Sequence, residues 1–193
     1  LKGGPGAPAR EGQPSVLARL GQSLTNRALD GSLQPGMARS PYREQLQTLL
    51  CGARKRPVIL CGPPGCGKTT LLHRFVLDLL DADDYPSHRN LDRAHQVIAI
   101  AGRRLIAGMS YVGDWQQRCL DLIEDARRRP TVLYVEDLHL FGRLGRSRES
   151  ESNFAELLRG PLGRGELVLC GEATHEQLQR LEDDAPSFAA HFR

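Results

Sequence analysis

Short apolar runs alternate with amphipathic stretches along this chain. Runs of about four to eight apolar residues are typical of strands buried on both faces, whereas apolar positions three or four apart indicate helices. The pattern predicts strands at 57–61, 96–101, 131–135 and 166–170. Because helical segments separate these strands, we expect an α/β fold with a parallel sheet between two layers of helices.

Helical periodicity fills the intervals between the strands. Three helices are predicted before position 100: one over 15–30, one starting at Ser40-Pro41 and one directly after position 69. Another is predicted from about Asp114, with an apolar face formed by Trp115, Cys119, Leu122, Ile123 and Ala126. A last helix is predicted near 153–159. The polar stretch 81–93 predicts a loop. Residues 1–14 are rich in Gly, Pro and Ala, which predicts a flexible arm ahead of a single domain over 15–193.

A phosphate-binding loop follows the first predicted strand. Residues Gly62 to Thr69 read GPPGCGKT, which matches the pattern G-x-x-x-x-G-K-[ST] at every fixed position. Glycines let successive N–H groups point into one concavity, and the helix that follows adds the positive end of its dipole. Lys68 is placed to reach the β- and γ-phosphates, and the Thr69 hydroxyl to bind Mg²⁺. Strand, loop and helix occur in the order that nucleotide binding requires. The residues predicted to contact ATP or ADP here are Pro63, Gly65, Cys66, Gly67, Lys68, Thr69 and Thr70.

Composition narrows the classes of partner. Lys and Arg number 26 against 23 Asp and Glu, and the net charge of +3 is too small to indicate nucleic acid as the main partner. No apolar run approaches the ~20 residues of a transmembrane helix, and the sequence does not begin with the apolar core of a signal peptide. We therefore expect a cytoplasmic protein without membrane insertion.

Two acids follow the third predicted strand. A nucleoside triphosphatase needs one acid in the Mg²⁺ shell and a second carboxylate that positions the attacking water. Glu136 and Asp137 are candidates for these two roles, in that order, although acids can also simply solvate the end of a strand. Thr174, after the fourth strand, could offer its hydroxyl to the γ-phosphate, or could only cap the next helix.

From about Leu20 to Phe192 the chain resembles the first AAA+ module of the Clp-type unfoldases and disaggregases. The stretch 105–118, LIAGMSYVGDWQQR, is similar to that family's first pore loop and the helix behind it, with Tyr111 on the aromatic that grips the translocated polypeptide. An aromatic on a glycine-flanked loop contacts any chain without reading its sequence. The alternative is that Tyr111 is an ordinary core or surface tyrosine. By the same resemblance, Gly36 and Met37 would line the pocket for the base, and Thr174 would be the sensor hydroxyl.

The resemblance implies a large α/β subdomain of a P-loop ATPase that works in a homo-oligomeric, hexameric ring on a protein client. The sequence stops at Arg193, before the fifth strand and the helical lid of such a module, so we expect a piece of a longer protein.

Three departures from the family pattern bear on hydrolysis and on grip. The third strand ends Glu136-Asp137 where the family has Asp-Glu, and Ala190-His191 replaces a pair of trans-acting arginines before Phe192. Misplacing a catalytic group by about 1 Å can cost ~100-fold in rate, and an arginine finger can be worth ~10³ to 10⁵. Ser110 and Val112 stand where basic residues usually flank the pore-loop aromatic.

Two hypotheses from different classes follow. The first is an ATPase that uses hydrolysis to unfold or remodel a protein partner. The second is a degenerate module that binds nucleotide for assembly or scaffolding and scarcely hydrolyses it. A nucleic-acid-dependent member of the same superfamily is a third, weaker alternative.

Overall fold

A five-stranded sheet forms the centre of the structure, which is a computed structural model describing residues 15–34, 36–109, 112–146, 150 and 152–193. The strands are β1 (Gln22–Ser23), β2 (Val58–Cys61), β3 (Gln96–Ile100), β4 (Thr131–Val135) and β5 (Val168–Ala173). Their order across the sheet is β1-β3-β4-β5-β2, with parallel pairing everywhere except at β1, which pairs antiparallel to β3. The predicted arm at 1–14 and the pore-loop residue Tyr111 lie outside the described residues.

Helices cover both faces of the sheet. In chain order they are α1 (Val16–Leu20), α2 (Leu24–Leu29), α3 (Tyr42–Cys51), α4 (Lys68–Ala82), α5 (Tyr85–His88), α6 (Gly102–Ile106), α7 (Val112–Arg127), a 3₁₀ turn (Leu138–Leu140), α8 (Phe154–Gly163), α9 (His175–Asp184) and α10 (Pro186–Ala189). One core joins α2, α3 and α4 to the sheet, and the other joins α1, α7, α8, α9 and α10 to its opposite face. This arrangement confirms the predicted three-layer α/β fold.

The side chains of β4 alternate between these two cores. Val132 and Tyr134 pack with α4, whereas Leu133 and Val135 pack on the face of α7 and α8. All five residues of β4 are buried, as expected for a central parallel strand. The predicted apolar face of α7, from Trp115 to Ala126, is also buried.

The single helix predicted over 15–30 is wrong, because the chain forms two short helices separated by β1. Gly21 ends α1, and the Ser23 hydroxyl then caps α2 by accepting a hydrogen bond from the Asn26 N–H. Leu17 and Leu24 are both buried but lie in different cores, on opposite faces of the sheet. The leucines therefore keep a helical spacing even though the chain passes from one face of the sheet to the other between them.

Other boundaries differ by smaller amounts. The fourth predicted strand, 166–170, is found at Val168–Ala173, because Glu166 forms an ion pair with Arg164 outside the sheet while pairing with β2 continues through the polar Glu172. The predicted loop at 81–93 contains α5. Asp114 lies in the first turn of α7 rather than at its cap, because that helix already begins at Val112.

Leu72 offers a test of the core beneath the phosphate loop. Its side chain on α4 is fully buried, so Leu72→Ala should lower the free energy of unfolding by about 2–5 kcal/mol through lost contacts and a cavity. Leu120→Ala on α7, where the side chain is 52 % exposed, is the matched control and should cost less than about 0.5 kcal/mol. Urea denaturation monitored by circular dichroism measures both. Equal losses in the two variants would contradict the assignment of the core.

Candidate nucleotide-binding site

The loop between β2 and α4 has the backbone of an anion-binding loop. Gly65 and Gly67 have φ of 75° and 88°, a region that residues with a Cβ rarely adopt. Gly67 is the N-cap of α4, and no side chain caps that helix. The first N–H groups of a 15-residue helix are therefore left for a ligand. The Gly62 N–H donates to the Ala173 carbonyl at 3.0 Å, which fixes the start of the loop against β5.

Lys68 lies folded across this loop. Its Nζ donates to the carbonyl oxygens of Gly62 and Pro63, both at 2.9 Å. These bonds hold the ammonium group over the concavity where the predicted phosphates would sit. The Thr70 hydroxyl donates to the Gly67 carbonyl at 2.9 Å and so stabilises the first turn of α4.

The segment 36–39 packs beside the loop, as expected of residues that line a base pocket. Gly36 is so close to α4 that a Cβ there would lie 2.5 Å from the Thr70 carbonyl oxygen. Arg39 donates to the Cys66 carbonyl at 2.7 Å. The Met37 side chain is 84 % exposed and contacts the site least. Contact of Gly36 and Met37 with the base stays a prediction.

The two acids after β4 have different surroundings. Asp137 accepts hydrogen bonds from the backbone N–H groups of Gly102 and Arg103, so its carboxylate holds the start of α6. Glu136 is exposed. Its charge, after burial and Glu172, contributes to raising the pKa of the Tyr134 hydroxyl. The structure therefore separates the residues assigned to the metal and to the water.

Thr174 forms a capping box at the start of α9. Its hydroxyl accepts from the Gln177 N–H at 3.2 Å, and the Gln177 side chain accepts from the Thr174 N–H at 2.8 Å. The capping alternative raised from the sequence is thus what the structure shows. The cap uses the hydroxyl as an acceptor, so its proton remains available, and the sensor role stays a prediction.

Glu172 is a site residue that the sequence reasoning missed. The Thr69 hydroxyl donates to Glu172 Oε2 at 3.1 Å, which joins β5 to the phosphate loop. Tyr134 on β4 lies beside both groups, and burial together with the Glu172 carboxylate raises its pKa. A glutamate inside the otherwise apolar run 167–173 was the available signal.

The donor set at the loop suits a hard cation. Within the described ranges no group of three or more His, Cys, Asp or Glu side chains could hold a metal ion by itself. Mg²⁺ does not need such a group, because it is usually bound through one or two carboxylates, water and the phosphates of its nucleotide. Thr69 and Glu172 supply oxygen atoms beside the loop, and Glu136 acts electrostatically on the neighbouring Tyr134, so these residues fit a nucleotide-bound Mg²⁺.

The described part of the chain contains no helix that is both long and apolar enough to span a membrane.

Comparisons with known proteins agree with this geometry. The family model described as "ATPase family associated with various cellular activities (AAA)" matches residues 58–182, more than half of the chain. The chain is 29% identical over 185 residues to the chaperone protein ClpB 2 of Parasynechococcus marenigrum (strain WH8102), covering 95% of this chain and 20% of that protein. It is 28% identical over 190 residues to the AAA+ ATPase ClpV1 of Pseudomonas aeruginosa, covering 97% of this chain and 20% of that protein.

A solved structure has the same fold. The S. cerevisiae Hsp104:casein complex in its extended conformation superimposes with a TM-score of 0.73 at 22% identity, over 92% of this chain and 30% of that chain. The chain spans about a fifth of the length of the two curated relatives.

The capping box gives a test of the structural role of Thr174. Thr174→Ala should lower the free energy of unfolding by about 0.5–2 kcal/mol, because the Gln177 N–H loses its acceptor. Thr174→Ser keeps the acceptor and is the matched control, with a loss below about 0.5 kcal/mol. Urea denaturation measures both values. Unchanged stability in the alanine variant would contradict a structural role for this hydroxyl.

Proposed function

The chain belongs to the ATPase family associated with various cellular activities, which confirms the resemblance drawn from its sequence, and from that premise we propose that it is the ATP-binding module of a Clp-like protein-remodelling ATPase. It would bind ATP with Mg²⁺, assemble with copies of itself in a ring, hexameric by resemblance, and use hydrolysis to thread or remodel a protein partner. The observation that carries the proposal is the intact loop with Lys68 held over its concavity.

Each residue of the site has a role in this proposal. The loop N–H groups and Lys68 hold the polyphosphate, and Gly36 and Met37 lie on the side of the base. Mg²⁺, when bound, would offset the negative charge that develops on the phosphate during hydrolysis. Thr69 and Glu136 would hold the cation. Asp137 would orient the attacking water, and Thr174 would donate to the γ-phosphate.

The proposal that ATP hydrolysis drives movement of a protein partner rests on the resemblance at Tyr111. Contact of Tyr111 with a translocated polypeptide is inferred from the family. The matched relatives are named as a chaperone and an AAA+ ATPase, and the matched structure is a complex with casein. A protein client is therefore favoured over nucleic acid. A cytoplasmic location is part of the same proposal.

A second function, nucleotide-dependent scaffolding with little hydrolysis, is favoured by two observations. The Asp137 carboxylate is already held by two N–H groups of α6. Ala190 and His191 provide no guanidinium for a neighbouring site. Two arginines near these positions have other contacts: Arg180 forms an ion pair with Glu176, and the backbone of Arg193 pairs with Pro57 and Ile59.

Lys68→Ala tests nucleotide binding. The loss of charge-assisted hydrogen bonds to phosphate should weaken ATP binding by roughly 10- to 100-fold. Lys55→Ala removes an exposed lysine away from the loop and is the matched control. Isothermal titration calorimetry with a non-hydrolysable ATP analogue measures the affinities. Equal affinity in wild type and Lys68→Ala would overturn the proposed site.

Asp137→Asn separates the two functions. Asparagine keeps one acceptor oxygen where Asp137 uses two, so one of the bonds from Gly102 and Arg103 is lost and the free energy of unfolding should fall by about 0.5–2 kcal/mol. If Asp137 orients the water, single-turnover hydrolysis of ATP should slow by about 100-fold. Slow hydrolysis in wild type that the substitution leaves unchanged would support the scaffold and eliminate the ATPase.

A further inference from the structure

We propose that Glu172 is a magnesium-positioning residue of the nucleotide site, acting together with Thr69. The inference rests on the proposed function, since it concerns the cation that accompanies ATP. It goes beyond the acids after β4, because Glu172 comes from a different strand. Its starting point is the hydrogen bond of 3.1 Å from the Thr69 hydroxyl to Glu172 Oε2.

The order of the strands places Glu172 at the loop. β5 lies between β4, which ends in the acid pair, and β2, which leads into the loop. Glu172 pairs with Leu60 of β2, two residues before Gly62. Residues two apart on a strand share a face, so Glu172 projects on the same side as Cys170, which packs in the core of α4. The carboxylate therefore reaches the first turn of α4, where Thr69 lies.

The second carboxylate oxygen points to a ligand. Glu172 Oε1 is buried and has no hydrogen-bond partner among the described residues. Burying an ionised carboxylate without compensation is unfavourable, and charges of this kind are normally paired or bind a metal. The Tyr134 hydroxyl lies against the same carboxylate and can donate to it, which offsets part of this cost but supplies no positive charge. A cation beside Thr69 would satisfy Oε1 and remove this cost.

The hydrogen bond also orients the hydroxyl for metal binding. A hydroxyl has one proton and two lone pairs. When the Thr69 hydroxyl donates its hydrogen bond to Glu172, the lone pairs of Thr69 Oγ1 are left for a cation. The negative carboxylate also makes Oγ1 a more basic ligand. Partners that hold metal ligands in this way typically contribute 10- to 100-fold to metal affinity.

The negative charge of Glu172 also affects the binding of ATP that carries no Mg²⁺. Glu172 faces the end of the loop that receives the triphosphate, so it opposes the binding of metal-free ATP and favours the Mg²⁺ complex. The ratio of the two affinities therefore reports on this residue. A residue that only held the fold together would change both affinities alike.

The test measures a fluorescent ATP analogue binding to the purified protein in Mg²⁺ and, separately, in EDTA. Glu172→Gln keeps an acceptor for Thr69 and removes only the charge. We expect the gain in affinity on adding Mg²⁺ to fall at least ~10-fold in this variant, mainly by weaker binding in Mg²⁺. Glu176→Gln is the matched control, because Glu176 is exposed and pairs with Arg180 on α9. Its gain should equal that of wild type.

Three other results count against the role of Glu172 or against the proposed function on which it rests. A gain that stays unchanged in Glu172→Gln while wild type binds ATP would overturn the inference and leave the proposed function intact. Tighter binding of the Mg²⁺ complex by the variant would also overturn it, because Glu172 would then be an obstacle. Failure of wild type to bind nucleotide in either condition would overturn the proposed function first.

A second variant and a second measurement keep the test decisive. If Glu172→Gln does not fold, as judged by circular dichroism, Glu172→Ala takes its place. Electron paramagnetic resonance then counts Mn²⁺ bound with a non-hydrolysable ATP analogue, in wild type and variant. Loss of bound Mn²⁺ at equal nucleotide occupancy supports the inference, and equal Mn²⁺ binding overturns it.

Discussion

The parallel pairing of β5 with both β4 and β2 is the constraint on which the site depends. It brings the ends of three strands to one edge, where ligands bind in open α/β sheets. The bond between the Gly62 N–H and the Ala173 carbonyl extends this pairing into the phosphate loop. The strict alternation of side chains then decides which group reaches the nucleotide. Glu172 is on the side of α4, and Asp137 holds the start of α6.

This alternation gives the reversed order of the acid pair a structural meaning. The longer acid, Glu136, is exposed to solvent, while the shorter one is held by two backbone N–H groups. The carboxylate that Thr69 contacts comes from β5, where Glu172 accepts the hydrogen bond from the Thr69 hydroxyl. The site therefore distributes its negative charge over two strands. Its chemistry cannot be inferred from the acid pair alone.

Local signals were sufficient for the fold and for the loop. The run 131–135 and the pattern of Gly62 to Thr69 each lie within a few consecutive residues, and the face of α7 repeats over several turns. The crossing of the sheet edge at Gly21 was missed because Leu17 and Leu24 keep a helical spacing while packing in different cores. Only strand pairing, a tertiary property, separates the two.

The missed part of the site has the same physical cause. Glu172 meets Thr69 across 103 positions of sequence, and Asp137 meets Gly102 across 35. No periodicity or motif encodes such distances. Thr174 was more accessible to prediction, since its cap partner Gln177 is three residues away. Position 111 lies outside the described residues, so the resemblance remains the basis for its role.

The bond between Asp137 and α6 makes the nucleotide edge and the segment after α6 parts of one mechanical unit. Turning the carboxylate away breaks the same two hydrogen bonds that are broken by pulling α6 from the sheet. Thermodynamic linkage makes such an effect mutual, so a load on α6 changes the free energy at which Asp137 can reorient. The chain leads from α6 through Gly108 toward position 111, where a client would act. In the proposed function, a client that pulls on this segment would therefore change the free energy of reorienting the Asp137 carboxylate.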